Sequence, residues 1–342
     1  MQSNRVTIKD IARELGVSPS TVSRAMKDHP DISPETKKQV NELVEKLKYR
    51  PNTVALSLRS RKTNIIALVV PEIVHHFFSS VISGIEEVAQ EAGYHVMIFQ
   101  TNESYEREVA IARSLASMQI DGLLVSIAKT SMKFGHFTEL MNEGIPLVFF
   151  DRACEEIQAD KVVVDDFTGA FNAVEYLIQS GCKRIAHFAA PQHLQIGYQR
   201  KRGYISALEK HRIEPAEELM VKCDTLDEAL KITPQIMRLE PHPDAIFAVN
   251  DMTASGAIKV LKQLRFRIPE DVSVIGFTDG IVATVTDPTL SSVSQHGSIM
   301  GKKAMNMLLQ RIDILEENIP ARIEVLPTDL IIRESTRPLP ME

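Results

Sequence analysis

The chain has 342 residues, 44% apolar and 25% charged, the make-up of a globular protein too long for one ordinary core. Its net charge of −6 would disfavour nucleic acid if it were spread evenly. It is not: residues 1–62 hold 13 Lys/Arg against 7 Asp/Glu, a balance of +6, which leaves 26 against 38, or −12, for the remainder. The first twenty residues lack an apolar leader, and the longest apolar run, Ile65–Val70, is far too short to span a bilayer. A cytoplasmic protein with no membrane association is therefore expected. Cys154, Cys182 and Cys223 are odd in number and widely spaced, which suits small core positions in a reducing compartment rather than a disulfide or metal site.

Taken in order, the basic segment opens with Thr7-Ile8-Lys9-Asp10, a capping box with Asp in place of Glu. Ile8, Ile11, Ala12 and Leu15 follow on one helical face, and Gly16 stops the helix. Ser18 caps a second helix with Pro19 at its first position. Val22, Ala25 and Met26 can point inward, leaving Ser20, Thr21, Ser23 and Arg24 outside. Ser33-Pro34 begins a third helix whose apolar stripe is Val40, Leu43, Val44 and Leu47. Two short helices around a Gly turn, braced by a third, describe a helix-turn-helix head over residues 1–50. A bundle that merely packs would need neither the positive charge nor the small polar outer face. Arg5, Lys9, Arg13 and Lys37 are suited to phosphates, and Arg24 to the paired acceptors of a guanine edge.

Residues 51–62 form a basic strip. Pro51 and Asn52 can start a helix, and Val54, Ala55 and Leu58 would share one of its faces. About eight residues do not hold a helix alone in water, so order there is expected only on DNA.

From residue 63 onward short apolar runs alternate with amphipathic helices. Strands are predicted at Asn64–Val70, Tyr94–Phe99, Asp121–Ser126, Pro146–Phe150, Arg184–Ala189, Leu219–Lys222, Asp244–Val249 and Val272–Phe277. Their near-continuous hydrophobicity predicts parallel strands buried on both faces. The alternation predicts an α/β body with doubly wound sheets, too many units for one sheet, with Asp160–Asp166 as a crossing between two. No P-loop, dinucleotide fingerprint, nucleophile elbow or metal-spaced Cys/His set is present, so no catalytic residue, metal or cofactor is expected. His75-His76 read as a loop or rim, and Asp165-Asp166 as a cap, crossing or carboxylate pair. Polar residues recur where strands end: Asp151, Asn250-Asp251 and Thr278-Asp279, with Phe77-Phe78 after the first strand and Arg200 on a later helix. Donors and acceptors around flat apolar rings suit a polyhydroxylated ligand in a cleft.

Thr7-Ile8-Lys9-Asp10-Ile11-Ala12, Gly16-Val17-Ser18, Thr21-Val22-Ser23-Arg24 and Tyr49-x-Pro51-Asn52-x-x-Ala55 closely resemble the lactose-repressor/galactose-repressor (LacI/GalR) family, and the likeness extends through almost the whole chain. The resemblance implies a transcriptional regulator, most often a repressor, that binds a pseudo-palindromic operator as a homodimer. It places DNA contacts on Thr7, Ser18, Pro19, Ser20, Thr21, Ser23 and Arg24, and on Asn52, Ala55 and Leu58 of a hinge helix, with Leu58 as a minor-groove wedge. It implies a periplasmic-binding-protein-like body of two subdomains, about 63–160 with 292–321 and about 161–291 with 322–337. Recrossings fall near Ser291–Gln295 and Ala321–Glu324, and the Ser298–Leu315 helix returns to the first subdomain.

Effector contacts map onto Phe77, Phe78, Asp151, Arg200, Asn250 and Asp251, with Thr278 and Asp279 beside them. Thr278 stands where the family often has aspartate. Leu194 and Ile196 replace the polar loop contacts of purine-responsive members, which favours a sugar; Arg152, Arg200 and Lys201 leave a phosphorylated ligand open. No heptad tail suggests a tetramer. A sugar-binding transport receptor would need a leader and no head. A sugar-acting enzyme would need a nucleophile or an acid–base pair in the cleft.

Overall fold

The computed structural model describes residues 6–49, 62–313 and 320–340, and the chain divides into two units between Thr63 and Asn64. Residues Asn52, Ala55 and Leu58 lie outside the described residues.

The first unit holds α1 (Ile8–Glu14), α2 (Pro19–Met26) and α3 (Pro34–Lys46). Local chemistry sets their ends. The Asp10 carboxylate accepts from the Thr7 N–H at 2.9 Å and from its hydroxyl at 2.7 Å. Ser18 Oγ accepts from Thr21 N, and Ser33 Oγ from Thr36 N. Gly16 turns the chain at φ +66°, a region that favours glycine. Ile11, Ala12, Val22, Ala25, Val40 and Leu43 fill a core around these helices, with Met26, Val44 and Leu47 packed at its edge.

The second unit contains two six-stranded sheets. The first half runs β1 (Ile65–Val70), α4 (His76–Glu91), β2 (His95–Gln100), α5 (Tyr105–Ser117), β3 (Gly122–Val125), α6 (Gly135–Asn142), β4 (Leu147–Phe150) and β5 (Asp160–Val164). The second half runs α7 (Asp166–Gln179), β6 (Ile185–Ala189), α8 (Gln195–Lys210), β7 (Met220–Lys222), α9 (Leu226–Ile236), β8 (Ala245–Ala248), α10 (Asp251–Gln263), β9 (Ser273–Thr278), α11 (Ile281–Val285) and β10 (Ser291–Ser294). Then come α12 (Gly297–Asp313), β11 (Ile323–Leu326) and β12 (Asp329–Ile331). The strand orders are β11-β5-β4-β3-β1-β2 and β12-β10-β9-β8-β6-β7, parallel except that β12 runs against β10. Apolar cores cover both faces of each sheet.

Three stretches read from sequence as crossings are strands. Asp160–Val164 and Ile323–Leu326 pair with each other in the first sheet, while Ser291–Ser294 pairs with β9 in the second. Asp160 hid the first of these, because a charge inside a buried strand contradicts the apolar pattern. Its carboxylate is neutralised by Arg311 Nε and Nη2, both at 2.7 Å, and by the Arg322 N–H. Three serines hid Ser291–Ser294; Ser291 Oγ bonds Arg333 and Thr336, and Ser292 Oγ bonds Asp251. The sheets are therefore joined at residues 165, 295–296 and 327–328. Two predicted strands depart from full burial: β2 and β7 each end a sheet, with Met97 and Ile98 exposed on the first and Lys222 on the second.

Helix α12 packs against α4 and the first sheet, and glycine permits the approach. A Cβ at Gly301 would lie 2.1 Å from the Val81 carbonyl oxygen, which is backbone and cannot swing aside. Gly301→Ala is expected to destabilise the protein by about 1–3 kcal/mol through overpacking. Chemical denaturation checks this, and an unchanged midpoint would contradict the close packing.

Candidate ligand cleft and DNA-reading face

In doubly wound sheets the ligand site lies beyond the carboxyl ends of the strands where the strand order reverses. That point falls between β1 and β3 in the first sheet and between β6 and β8 in the second. The loops after β2, β3, β4 and β7, at the same ends of the two sheets, carry a charged network. Arg152 Nη1 donates to both oxygens of Glu103, at 2.9 and 2.8 Å. Lys129 gives its backbone N–H to Glu103 at 2.7 Å and its ammonium to Asp224 at 2.8 Å. Lys129 follows β3 and Asp224 follows β7, so this ion pair joins the two sheets. The His193 ring lies 2.7 Å from the Lys129 carbonyl and adds a second bridge.

Arg200 is buried on α8 and locked in place. Nε and Nη2 each lie 2.7 Å from Asp166, Nη1 donates to the Val249 carbonyl, and the guanidinium stands 3.7 Å above the Phe277 ring centroid. Asp151 has a weaker position. It sits at φ +57°, its closest charged partner is Arg152 Nε at 3.9 Å, and burial pushes its pKa up to about 6. Arg152 and Arg200 oppose that rise, while Asp166 and Glu103 add to it. Burial also raises Asp166 despite its Arg200 partner.

The expected ligand residues thus separate. Asp151 and Arg200 are close enough to perturb each other, and Phe78 lies 5.8 Å under Arg152. Asp251 is engaged elsewhere: it accepts from Ser292 Oγ at 2.5 Å and Gly280 N at 2.7 Å, bracing the loop after β9. Its pKa also rises to about 6, from burial. Asn250 caps α10 through Thr253 N and donates to the Asp224 carbonyl. Asp279 pairs with Arg333 at 2.7 Å, and Thr278 donates to Gln295. Phe77, Thr278 and Asp279 line a depression of about 250 Å³ with His76, Ser80, His296 and Ile299. Sequence reasoning missed Glu103, Lys129 and Asp224. Each follows a strand, the same signal that singled out Asp151. Among the described residues, no set of His, Cys, Asp and Glu is placed to hold a metal ion, and no helix is long and apolar enough to cross a membrane.

In the head, Thr7, Ser18, Pro19, Ser20 and Arg24 are exposed, and Thr21 and Ser23 half-buried. Ser18 Oγ lies 2.7 Å from Ser20 Oγ and 2.8 Å from Thr21 Oγ1. Lys37, expected to face phosphate, instead contacts Asp28 at 2.7 Å with its side chain largely covered.

A basic helix-turn-helix unit on a body of two sheets facing a charged cleft is the build of a ligand-responsive DNA-binding regulator. Residues 7–52 match the model for bacterial regulatory proteins of the lacI family, and residues 174–336 that for a periplasmic binding protein-like domain. Catabolite control protein A of Priestia megaterium is 30% identical over 334 residues, spanning 97% of this chain and 99% of that protein. The HTH-type transcriptional repressor PurR of Vibrio atlanticus is 32% identical over 337 residues, spanning 97% and 99%. The solved transcriptional regulator CelR–cellobiose complex superposes with a TM-score of 0.74 at 30% identity, over 97% of this chain and 100% of that one. The chain belongs to the LacI family of bacterial regulatory proteins; it is a transcriptional regulator and not an enzyme.

The raised Asp151 pKa has a signed consequence. The folded value of about 6 exceeds the unfolded value near 4. The folded chain therefore binds the proton more tightly, and stability falls as pH rises through that interval. Asp151→Asn is expected to gain up to about 3 kcal/mol over the parent near pH 7.5 and almost nothing near pH 4. Urea denaturation at both pH values checks this; an equal difference at both would contradict the burial of a costly charge.

Proposed function

We propose that this protein is a cytoplasmic repressor that binds a pseudo-palindromic operator as a homodimer and is controlled by a sugar bound between its two sheets. The observation that carries the reading is the pairing of a polar, exposed α2 face with a body whose strand-end loops converge on one cleft. Family membership supports it, and so does the cellobiose of the CelR complex. Thr7, Ser18, Pro19, Ser20, Thr21 and Ser23 position the head or touch base edges, and Arg24 reads a guanine. Asn52, Ala55 and Leu58 supply the hinge contacts, Leu58 as the wedge. In the cleft, Asp151 and Arg200 address ligand hydroxyls, with Phe78, Phe77 and Asn250 around them. The bonds made by Asp251 and Asp279 favour bracing over ligand contact. Exposed Val74, Ile281 and Val285 offer apolar surface to a second copy.

Arg24→Ala is expected to lose about 1–3 kcal/mol of operator affinity and to relax sequence preference at one position of each half-site. Lys9→Ala should weaken binding to all sequences alike and shrink the salt slope by about 1. Gel-shift titration against an operator selected from random DNA reads both effects. Unchanged affinity in both variants would contradict the assignment of the head.

A further inference from the structure

The cations that would attract an anionic effector are already engaged. Lys129, Lys222, Arg152 and Arg200 face Glu103, Asp151, Asp166, Asp224 and Glu228, four positive groups against five carboxylates. Arg200 has all three nitrogens engaged, two by Asp166 and one by the Val249 carbonyl. Arg152 has Nη1 spread across both Glu103 oxygens, and its buried Nε lies 3.9 Å from Asp151. Asp151, Asp166 and Asp224 are buried, while the Glu103 and Lys129 side chains are 18% and 25% exposed.

Glu103 is built into this position. It follows β2 at φ +58°, next to Asn102 at φ +50°, a costly conformation for two successive non-glycine residues. Its carbonyl accepts from Thr130 Oγ1 at 2.9 Å, and its carboxylate also takes the Lys129 N–H. The loop is thus fixed from both ends against the loop after β3.

From this geometry we infer that Glu103, aided by Asp224, sets the charge selectivity of the cleft: it admits an uncharged polyhydroxylated ligand and rejects phosphorylated ones. The inference rests on the sugar reading above and specifies which sugars. A phosphate could take Arg152 Nη1 only by displacing Glu103, or Arg200 only by displacing Asp166, and at Arg152 Nη2 it would meet the neighbouring Glu103 and Asp151 carboxylates. Either exchange leaves a carboxylate without its cation, a buried one in the case of Asp166, which costs more than the new contact returns. Asp151, meanwhile, adds repulsion toward an anion but accepts readily from a hydroxyl. A neutral sugar needs no displacement. It can donate to Asp151 while every ion pair stays intact.

The test is calorimetric titration of the purified full chain, its Glu103→Gln variant and its Asp224→Asn variant with inorganic phosphate. The wild type is expected to give no binding at millimolar phosphate. Glu103→Gln, which frees Arg152 at constant shape, should gain affinity by about tenfold or more, and Asp224→Asn, which frees Lys129, should gain in the same direction. Circular dichroism melts establish that each variant is folded, and either folded variant suffices. Phosphate binding by the wild type, or no gain in any folded variant, overturns the inference. A second arm screens neutral sugars against their phosphate esters on the wild type by thermal shift. A phosphate ester that stabilises more than its parent sugar overturns the inference as well. If no neutral sugar stabilises the protein while Glu103→Gln still gains phosphate, the sugar reading fails and the charge selectivity stands.

Discussion

The ion pair between Lys129 and Asp224, 2.8 Å long, is the contact on which the cleft depends. Its members leave different sheets, and Asp224 is almost wholly buried. Such a charge is tolerable only with its partner in place, and removing one member of a buried pair costs about 3–5 kcal/mol. The loops after β3 and β7 are therefore held together by Lys129, with Lys222 of β7 a second, more distant cation 3.6 Å from Asp224. Glu103 extends the constraint, because it fixes the Lys129 backbone and occupies Arg152. Arg200, tied to Asp166 and to the end of β8, does the same for the second sheet. A ligand entering here meets a neutralised, prearranged surface. Asp151 is the exception, a carboxyl carried at a cost in stability where donors from a ligand would relieve it.

Much of this was legible in the sequence, for identifiable reasons. The eight strands named from their apolar runs are present, because parallel strands covered on both faces admit little else. The caps at Ser18 and Ser33 are local and follow from residue type alone. What was not legible depends on partners distant in sequence. Asp160 enters a strand only because Arg311 and Arg322 return about 150 residues later to neutralise it. The serines of β10 are satisfied by Asp251, Arg333 and Thr336, none of them neighbours in the chain. Asp251 and Asp279 illustrate the converse. Strand-end carboxylates look alike in sequence, and only the structure shows their bonds to Gly280, Ser292 and Arg333. Lys37 likewise has the charge for phosphate but is held by Asp28.

The opposite charges of the two units divide the labour. The basic head supplies affinity for DNA that falls with salt. The acidic body carries a cleft lined by buried charge. Residues 51–62, a basic strip, link the two units covalently. Regulation then requires that a ligand bind one arrangement of the two sheets better than another.

The most direct test of that requirement is fluorescence anisotropy of labelled operator with the full chain, titrated with and without a saturating concentration of the sugar that most raises its melting temperature. Ligand control predicts a shift in operator affinity of about 5–150-fold. Superimposable binding curves would contradict it, because a ligand with equal affinity for both arrangements shifts nothing, however tightly it binds.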